Sequence, residues 1–313
     1  MQLKARSIAK GLATQVPFLA RYANSRAAAE VTGRYYYSVW LRHLRQVSHV
    51  CKDTNPKCVA ELGPGDSLGL GLAAMLSGAD RYYALDRLRF ATSSRNLAIL
   101  DELIELFRAR APIPGDDELP NVHPRLDDYR FPTDLLDGAR LDRALESSRL
   151  QRIRRIVAGN RESDDELQIR YFAPWDDAAE VMPESVDWVL SQAVLEHVDD
   201  VPDAYENLMR WLRPGGLMSH RIDYSSHGIT RDWNGHWTVS DLMWRLVRGQ
   251  RAYLINRLPH SAHLQALKRS GFSILLDFRT EGTPLARELL PKPFQSFTSE
   301  DLGTTGAFIV ARK

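Results

Sequence analysis

Two groups of residues in this chain carry types and spacings that could do chemistry. The first is Glu61-Leu62-Gly63-Pro64-Gly65-Asp66-Ser67, which follows the short apolar run Cys58–Leu62. A glycine turn between a strand and a helix N-terminus lets backbone approach a ligand closely and offers unpaired N–H groups. A dinucleotide fingerprint would place its third glycine where Leu68 stands; Gly69 comes one residue late. Glu61 would repel a pyrophosphate and suits a cationic amino-acid group instead. Asp86 ends the next apolar run, Arg81–Leu85, at the place where a carboxylate accepts hydrogen bonds from ribose hydroxyls. The second group is made of imidazoles. His197 follows the run Val186–Ser191, and Asp223 and His227 follow Leu217–Ile222, spaced so that the carboxylate can orient the imidazole and raise its basicity. His236 lies in Trp233-Asn234-Gly235-His236-Trp237, the densest aromatic cluster, which reads either as the wall of a pocket for a flat or sugar-like group or as a loop buried by its own tryptophans. As a general base His227 ranks first and His236 second, with His197 either a base or a contact of the cofactor pocket. Metal ligation by Asp223, His227 and His236 is the alternative, but no tight ligand spacing supports it and no metal is assigned.

These residues need elements to position them. Strand, glycine turn, helix (Leu68–Leu76), strand and acid form the first half of a nucleotide-binding α/β unit. A helix is predicted over Tyr35–Arg45 ahead of it. Residues 92–165 leave the compact rhythm: a helix over Asn96–Ala109, a loop with Pro112, Pro114, Pro120, Pro124 and Pro132, and a basic helix over Leu141–Val157. Arg143, Arg149, Arg152, Arg154 and Arg155 are mixed with acids there, as on a solvated face, and the block reads as an insertion or lid. The α/β rhythm resumes at Gln168–Phe172, Val186–Ser191, a helix through Val201–Leu212, the turn Arg213-Pro214-Gly215-Gly216 and Leu217–Ile222. Residues 224–260 show no clear strand and read as an acceptor-binding insertion. A helix over Ser261–Ser270 and strands over Phe272–Phe278 and Ala307–Ala311 close the chain.

The ordered set resembles the class I S-adenosylmethionine-dependent methyltransferases, of the bacterial, methyltransferase type 11-like kind. Glu61 to Ser67 resembles the family's acid-x-Gly-x-Gly-x-Gly motif, with Ser67 in place of the last glycine. Asp86 matches its ribose-binding acid. Val186-Asp187-Trp188-Val189-Leu190-Ser191 and Val194-Leu195-Glu196-His197-Val198 look like its fourth strand and the turn after it, and Leu212 to Gly216 like the turn before its fifth. The resemblance covers about 59–95 and 168–223, and more weakly 261–312. It implies a doubly wound, mostly parallel seven-stranded Rossmann-like sheet with an antiparallel last strand, carrying a helical insertion and an N-terminal helical arm. It implies S-adenosyl-L-methionine as cofactor, held by Glu61, Gly63, Gly65, Asp66, Ser67, Asp86, Ser191 and Gln192. Asp176 or Asp177, beside Trp175, would meet the adenine amino group, and Asp176 is favoured. Ser219 through Asn256-Arg257 also looks like bacterial methyltransferases found among cell-surface polysaccharide functions.

The expected organisation is an arm over 1–50 and a methyltransferase domain over 51–313. Lys+Arg 41 against Asp+Glu 40 disfavours a nucleic-acid partner. The stretch Ser191-Gln192-Ala193-Val194 also lacks the Asn-Pro-Pro-aromatic motif used on exocyclic amines. The expected reaction is therefore methyl transfer to a small-molecule or glycan-type acceptor, at oxygen. A nicotinamide-dependent oxidoreductase and a non-catalytic cofactor-binding partner are the competing readings. Cys51 and Cys58 make no disulfide framework, which suits a cytoplasmic setting. In residues 1–28 Lys4, Arg6, Lys10, Arg21 and Arg26 alternate with Leu3, Ile8, Leu12, Val16 and Leu19. That pattern fits a helix packed on the domain, or one resting on the anionic inner face of a membrane. The sequence carries no reading of oligomeric state.

Overall fold

The computed structural model describes residues 3–15, 32–159, 166–175, 181–251 and 253–313. Its centre is β1 (Cys58–Leu62), buried at every position and apolar except at Glu61, as a parallel strand covered on both faces is. The described elements before it are α1 (Ala5–Ala13) and α2 (Gly33–Ser48). After it come α3 (Gly69–Met75), β2 (Arg81–Leu85), α4 (Ser93–Arg108), α5 (Gly138–Ala144), α6 (Ser147–Val157), β3 (Gln168–Phe172) and β4 (Val186–Gln192). The chain closes with α7 (Val201–Trp211), β5 (Leu212–Asp223), α8 (Asp241–Arg248), α9 (His260–Arg269), β6 (Ser273–Glu281), α10 (Ser299–Gly303) and β7 (Thr304–Arg312). The seven strands form one sheet in the order β3-β2-β1-β4-β5-β7-β6. β1 pairs in parallel with β2 and β4, and β7 runs antiparallel to both of its neighbours. The strand order reverses between β1 and β4, and open α/β sheets bind ligands at that crevice, beyond the carboxyl ends of the strands.

One sheet face packs under α2, α3, α4 and α6, with Trp40, Leu72, Leu100, Phe107, Ile153 and Trp188 in its core. The other packs under α7 and α9 through Tyr205, Leu208, Trp211 and Leu267. α2 belongs to the core: Tyr37, Trp40, Leu41, Leu44 and Val47 are fully buried. Arg42 is fully buried too. Its guanidinium donates to the carbonyls of Pro114 (3.0 Å), Val122 (3.0 Å) and Pro124 (2.8 Å) and lies 3.3 Å from Asp116. A buried charge is tolerated only when paired and hydrogen-bonded in this way. The effect is to dock the proline-rich segment against the sheet.

Several boundaries differ from expectation. The single basic helix over 141–157 is two helices, because Asp137 caps α5 through the Arg140 N–H (2.7 Å) and Glu146 caps α6 through the Ser148 N–H (3.3 Å). Arg149 leaves the solvated face to reach Asp80 (3.0 Å) and the Ala79 carbonyl (2.5 Å). β5 begins at Leu212, five residues before the expected strand, and passes through Gly215 at φ 76° with a register shift opposite Val186–Trp188. β6 and β7 are each longer than their apolar runs. α1 covers part of the 1–28 arm, and Asp176 and Asp177 lie outside the described residues.

Candidate active site

The turn after β1 is shaped by backbone. Gly63 has φ 65° and Gly65 φ 67°, the left-handed region that glycine enters without strain. A Cβ on Gly63 would stand 2.6 Å from a methyl of Val194, in the loop after β4, so the turn closes directly across the crevice. The Gly63 N–H donates to the Leu85 carbonyl (2.7 Å) and the Gly65 N–H to Asp86 Oδ2 (3.1 Å). Asp86, 7% exposed, thus ties the first turn to the end of β2. The late glycine has a packing cause: a Cβ on Gly69 would lie 2.2 Å from the Tyr36 ring of α2.

The side chains predicted for the cofactor divide. Glu61 is 4% exposed and accepts a hydrogen bond from the Tyr82 hydroxyl (2.5 Å). Burial pushes its carboxyl up to about 8, with Tyr82 pulling back part of the way and the charge of Asp86 adding to the rise. Ser67 is fully buried, and its hydroxyl accepts from the Gly69 N–H (3.0 Å). Ser191 is also buried, its hydroxyl 2.7 Å from His220 Nδ1. Gln192 bridges His43 Nε2 (3.1 Å) and the His123 carbonyl (3.1 Å), tying the end of β4 to α2 and the proline-rich segment. Asp66 is half-buried on the turn.

The acceptor side is built from two loops. After β4, Ala193 takes φ 55° and a 3-10 turn over Leu195–His197 carries Glu196 and His197. After β5, Asp223 accepts from the Ser225 N–H (2.8 Å), and His227 is held at φ 48° with Gly228 at φ 71°. A non-glycine residue in that region is a mark of a constrained loop. His227 Nε2 lies 3.4 Å from Asp223 Oδ2 and 3.9 Å from Glu196 Oε1, and its ring stands 4.9 Å from that of His197. Burial pushes Asp223 up, but the His227 and Ser225 hydrogen bonds outweigh it and hold the carboxyl well below the usual range. Burial pushes Glu196 up to about 7, against the pull of its own backbone and of His227. The arm reaches the same loop: the Lys4 N–H donates to the Ile229 carbonyl (3.1 Å). A Cβ on Gly228 would lie 3.6 Å from Arg6 Nη2 and 3.9 Å from Lys4 Nζ.

The structure therefore brings His197, Asp223 and His227 together and encloses His236. His236 is 1% exposed, 4.5 Å from the Trp237 ring, and burial pushes it down to about 3, so it is neutral and enclosed. Of the two readings of its cluster, the structure has the loop buried by its own aromatic side chains. Trp237 is fully buried with its indole N–H on the Arg257 carbonyl (3.0 Å), and Asn234 is spent on the Thr283 carbonyl (3.0 Å). Trp233 alone of the pair keeps part of its surface accessible. Sequence reasoning passed over two residues. Glu196 was read only as part of a turn, though its spacing from the β4 end already put it beside His197. Asn256 clamps that turn, donating from its side chain to Leu195 O (2.8 Å) and Val198 O (2.9 Å) and from its backbone to Glu196 O (2.7 Å). No local sequence signal marks it.

Residues 161–219 match the family described as a methyltransferase domain. Among curated proteins nothing matches the chain. Similar solved structures include an S-adenosylmethionine-dependent methyltransferase from Mesorhizobium loti, 16% identical, covering 86% of this chain and 96% of that one with a TM-score of 0.42. Another is from Methanosarcina mazei, also an S-adenosylmethionine-dependent methyltransferase, 11% identical, with 86% and 96% covered and a TM-score of 0.41. A third is phosphoethanolamine N-methyltransferase 2 of Haemonchus contortus in complex with S-adenosyl-L-methionine, 14% identical, with 90% and 57% covered and a TM-score of 0.42. The family match falls on β3, β4 and the first part of β5; the acid-glycine turn ahead of it and the strand order are those of a Rossmann-like methyltransferase fold.

Proposed function

We propose that this enzyme methylates a hydroxyl oxygen of a small-molecule or glycan-type acceptor seated beyond the carboxyl ends of β4 and β5. The observation that carries the reading is the acid–imidazole pair Asp223–His227, 3.4 Å apart, on the side of the crevice facing the glycine turn. S-adenosylmethionine, when bound, supplies an electrophilic methyl group. The positive-φ turn at Gly63 and Gly65 fits its amino-acid end, and Asp86 fits its ribose. Asp66, Ser191 and Gln192 complete that wall through backbone and Ser67 through the fold of the turn, with Asp176 assigned to the adenine. On the acceptor side, His227 takes the hydroxyl proton on its imidazole, Asp223 holds the ring, and His197 packs against it. His236, enclosed, has no part in proton transfer. Lys4 and Arg6 at the mouth of the loop favour an acceptor carrying negative charge nearby. Transfer assays on hydroxyl, amine and thiol acceptors test the reading; methylation of amines alone would overturn it.

We also propose that the enzyme works in the cytoplasm against the inner face of a membrane. α1 packs on α8 with Gly11 against the Leu246 and Val247 carbonyls, so close that a Cβ there would stand 2.0 Å from the first. That pairing leaves Leu12 (50% exposed), Leu242 (70%) and Leu246 (39%) outward, among the exposed Arg6, Lys10 and Arg245. An apolar patch ringed by cations matches an anionic lipid surface. No helix among the described residues is long and apolar enough to cross a membrane. Cosedimentation with phosphatidylserine vesicles should be lost on deleting residues 1–28 or on changing the three leucines to serine; unchanged binding by both variants refutes the proposal.

A further inference from the structure

The acid–imidazole pair accounts for His227 and Asp223 but leaves Glu196 unexplained. Its side chain is 3% exposed, and neither carboxylate oxygen has a hydrogen-bond partner among the described residues. Burying a carboxylate without partners is costly, more so than burying a neutral polar group. Native structures keep such groups where a ligand or ion completes them. Glu196 is aimed into a cluster: one ligand atom each of Glu196, His197 and His227 lies within 4.8 Å of the others. The Glu196–His227 separation of 3.9 Å is close to the roughly 3.4 Å that two ligands bonded at ~2.1 Å to one tetrahedral ion subtend. Asp223, 3.4 Å from the same His227 nitrogen, supplies a second carboxylate.

We infer that Glu196, His197 and His227 bind a divalent first-row transition-metal cation, with Asp223 as a fourth ligand or as the carboxylate that orients His227. Two imidazoles and a carboxylate are the ligand set of Zn²⁺, Mn²⁺ and Fe²⁺ rather than of Mg²⁺ or Ca²⁺, which take oxygen. The protein holds the set in place from three sides. Asn256 clamps the turn that carries Glu196 and His197, the left-handed φ of His227 fixes its imidazole, and the Ser225 N–H fixes Asp223. Arg221 stands behind the cluster, 8% exposed, and Lys4 and Arg6 stand at its mouth. The open positions of the ion face the acceptor, where they take one or two of its oxygen atoms. This inference rests on the oxygen-transfer reading for what the ion binds, but not for whether it binds. With a cation in place His227 is a ligand rather than the base, and the Asp223 carboxylate, in the arrangement where it is not itself a ligand, takes the hydroxyl proton.

The test is a calorimetric titration of the chelator-stripped full chain with Mn²⁺ and separately with Zn²⁺. One site is expected, with affinity falling at least about tenfold in His227→Asn and in Glu196→Gln. His49→Ala, at an exposed position on the far side of α2, should bind as the parent does. Circular dichroism of each variant separates a lost ligand from a lost fold; His227→Asn, in a half-exposed loop, is the variant expected to stay folded. No binding by the parent at about 1 mM cation, or binding that survives both ligand changes in folded variants, overturns the inference. A stripped enzyme that methylates hydroxyls at the full rate also overturns it, while leaving the oxygen reading intact. Tight single-site binding in an enzyme that methylates only amines does the reverse.

Discussion

The turn after β1 and the cluster after β4 and β5 face each other across one crevice, yet the first is made of backbone and the second of side chains. On the cofactor side Gly63 and Gly65 work through φ angles and N–H groups and Asp86 through the carboxylate that holds the Gly65 N–H, while Glu61, Ser67, Ser191 and Gln192 spend their side chains inward. On the acceptor side Glu196, His197, Asp223 and His227 point into shared space from two loops, and the backbone is bent to let them. Backbone geometry suits a ligand that never changes. Side chains on loops suit one that differs between relatives, because loops can be replaced without disturbing the sheet.

Removing the acceptor side should have the largest effect and leave the other half alone. His227→Ala is expected to lower methyl transfer by about 10²–10⁴-fold. Its affinity for S-adenosylhomocysteine, measured by calorimetry, should stay within about twofold. A comparable loss of cofactor affinity would mean that the two halves are one unit and that the contrast is false. Next in size is the joint between them. Arg42 holds the proline-rich segment whose His123 carbonyl engages Gln192. Arg42→Met leaves the buried Val122 and Pro124 carbonyls without their donor, while the Pro114 carbonyl keeps the Ser38 hydroxyl (2.9 Å) and Asp116 the Tyr129 hydroxyl (2.7 Å), and unfolding in urea should show a loss of about 3–5 kcal/mol. A smaller change would show that water replaces the guanidinium and that the joint is wet.

The same contrast explains what could be read from the sequence. The cofactor side depends on short contiguous strings, so Glu61 to Ser67, Asp86 and the β4 motif are visible in order, and the sheet with its antiparallel last strand follows from them. The acceptor side depends on which histidines are enclosed, and that is a property of packing. His43, His220 and His263 are fully buried and pushed down to about 4, 3 and 3 by that burial. Nothing in their local sequence separates them from His227. His236 was ranked second as a base because its aromatic neighbours suggest a pocket wall; those neighbours fold over it instead. The split of the basic helix at Glu146 was missed because the apolar spacing continues across the break, and only the capping side chains stop it.

Gly63→Ala tests the cofactor side at the backbone. The left-handed φ and the 2.6 Å approach to Val194 leave the new methyl no room unless the loop after β4 moves. Affinity for S-adenosylhomocysteine should fall by about 5- to 150-fold, the range that a strain of ~1–3 kcal/mol gives. Transfer at saturating cofactor should be less affected. If transfer falls as far as binding does, Val194 carries the strain into the turn that holds Glu196 and His197.

The smallest effect is the one that asks whether any buried side chain on the cofactor side meets the ligand. Burial raises the Glu61 carboxyl to about 8, so at neutral pH it is mostly protonated in the free enzyme. A cationic amino group placed beside it favours the ionised form and lowers that value, so binding must release protons. The sign follows: affinity rises with pH below about 8, by at most about tenfold per unit, and flattens above it. Between pH 6 and 7, below the usual α-amino range of about 7.7–8.0, the ligand stays cationic and the slope belongs to the protein. Calorimetry in two buffers of different ionisation enthalpy should show a fraction of a proton released per S-adenosylhomocysteine bound, and Glu61→Gln should abolish it. A parent enzyme that releases none would assign Glu61 wholly to the Tyr82 hydroxyl, and the cofactor side would then hold its ligand by backbone and Asp86 without it.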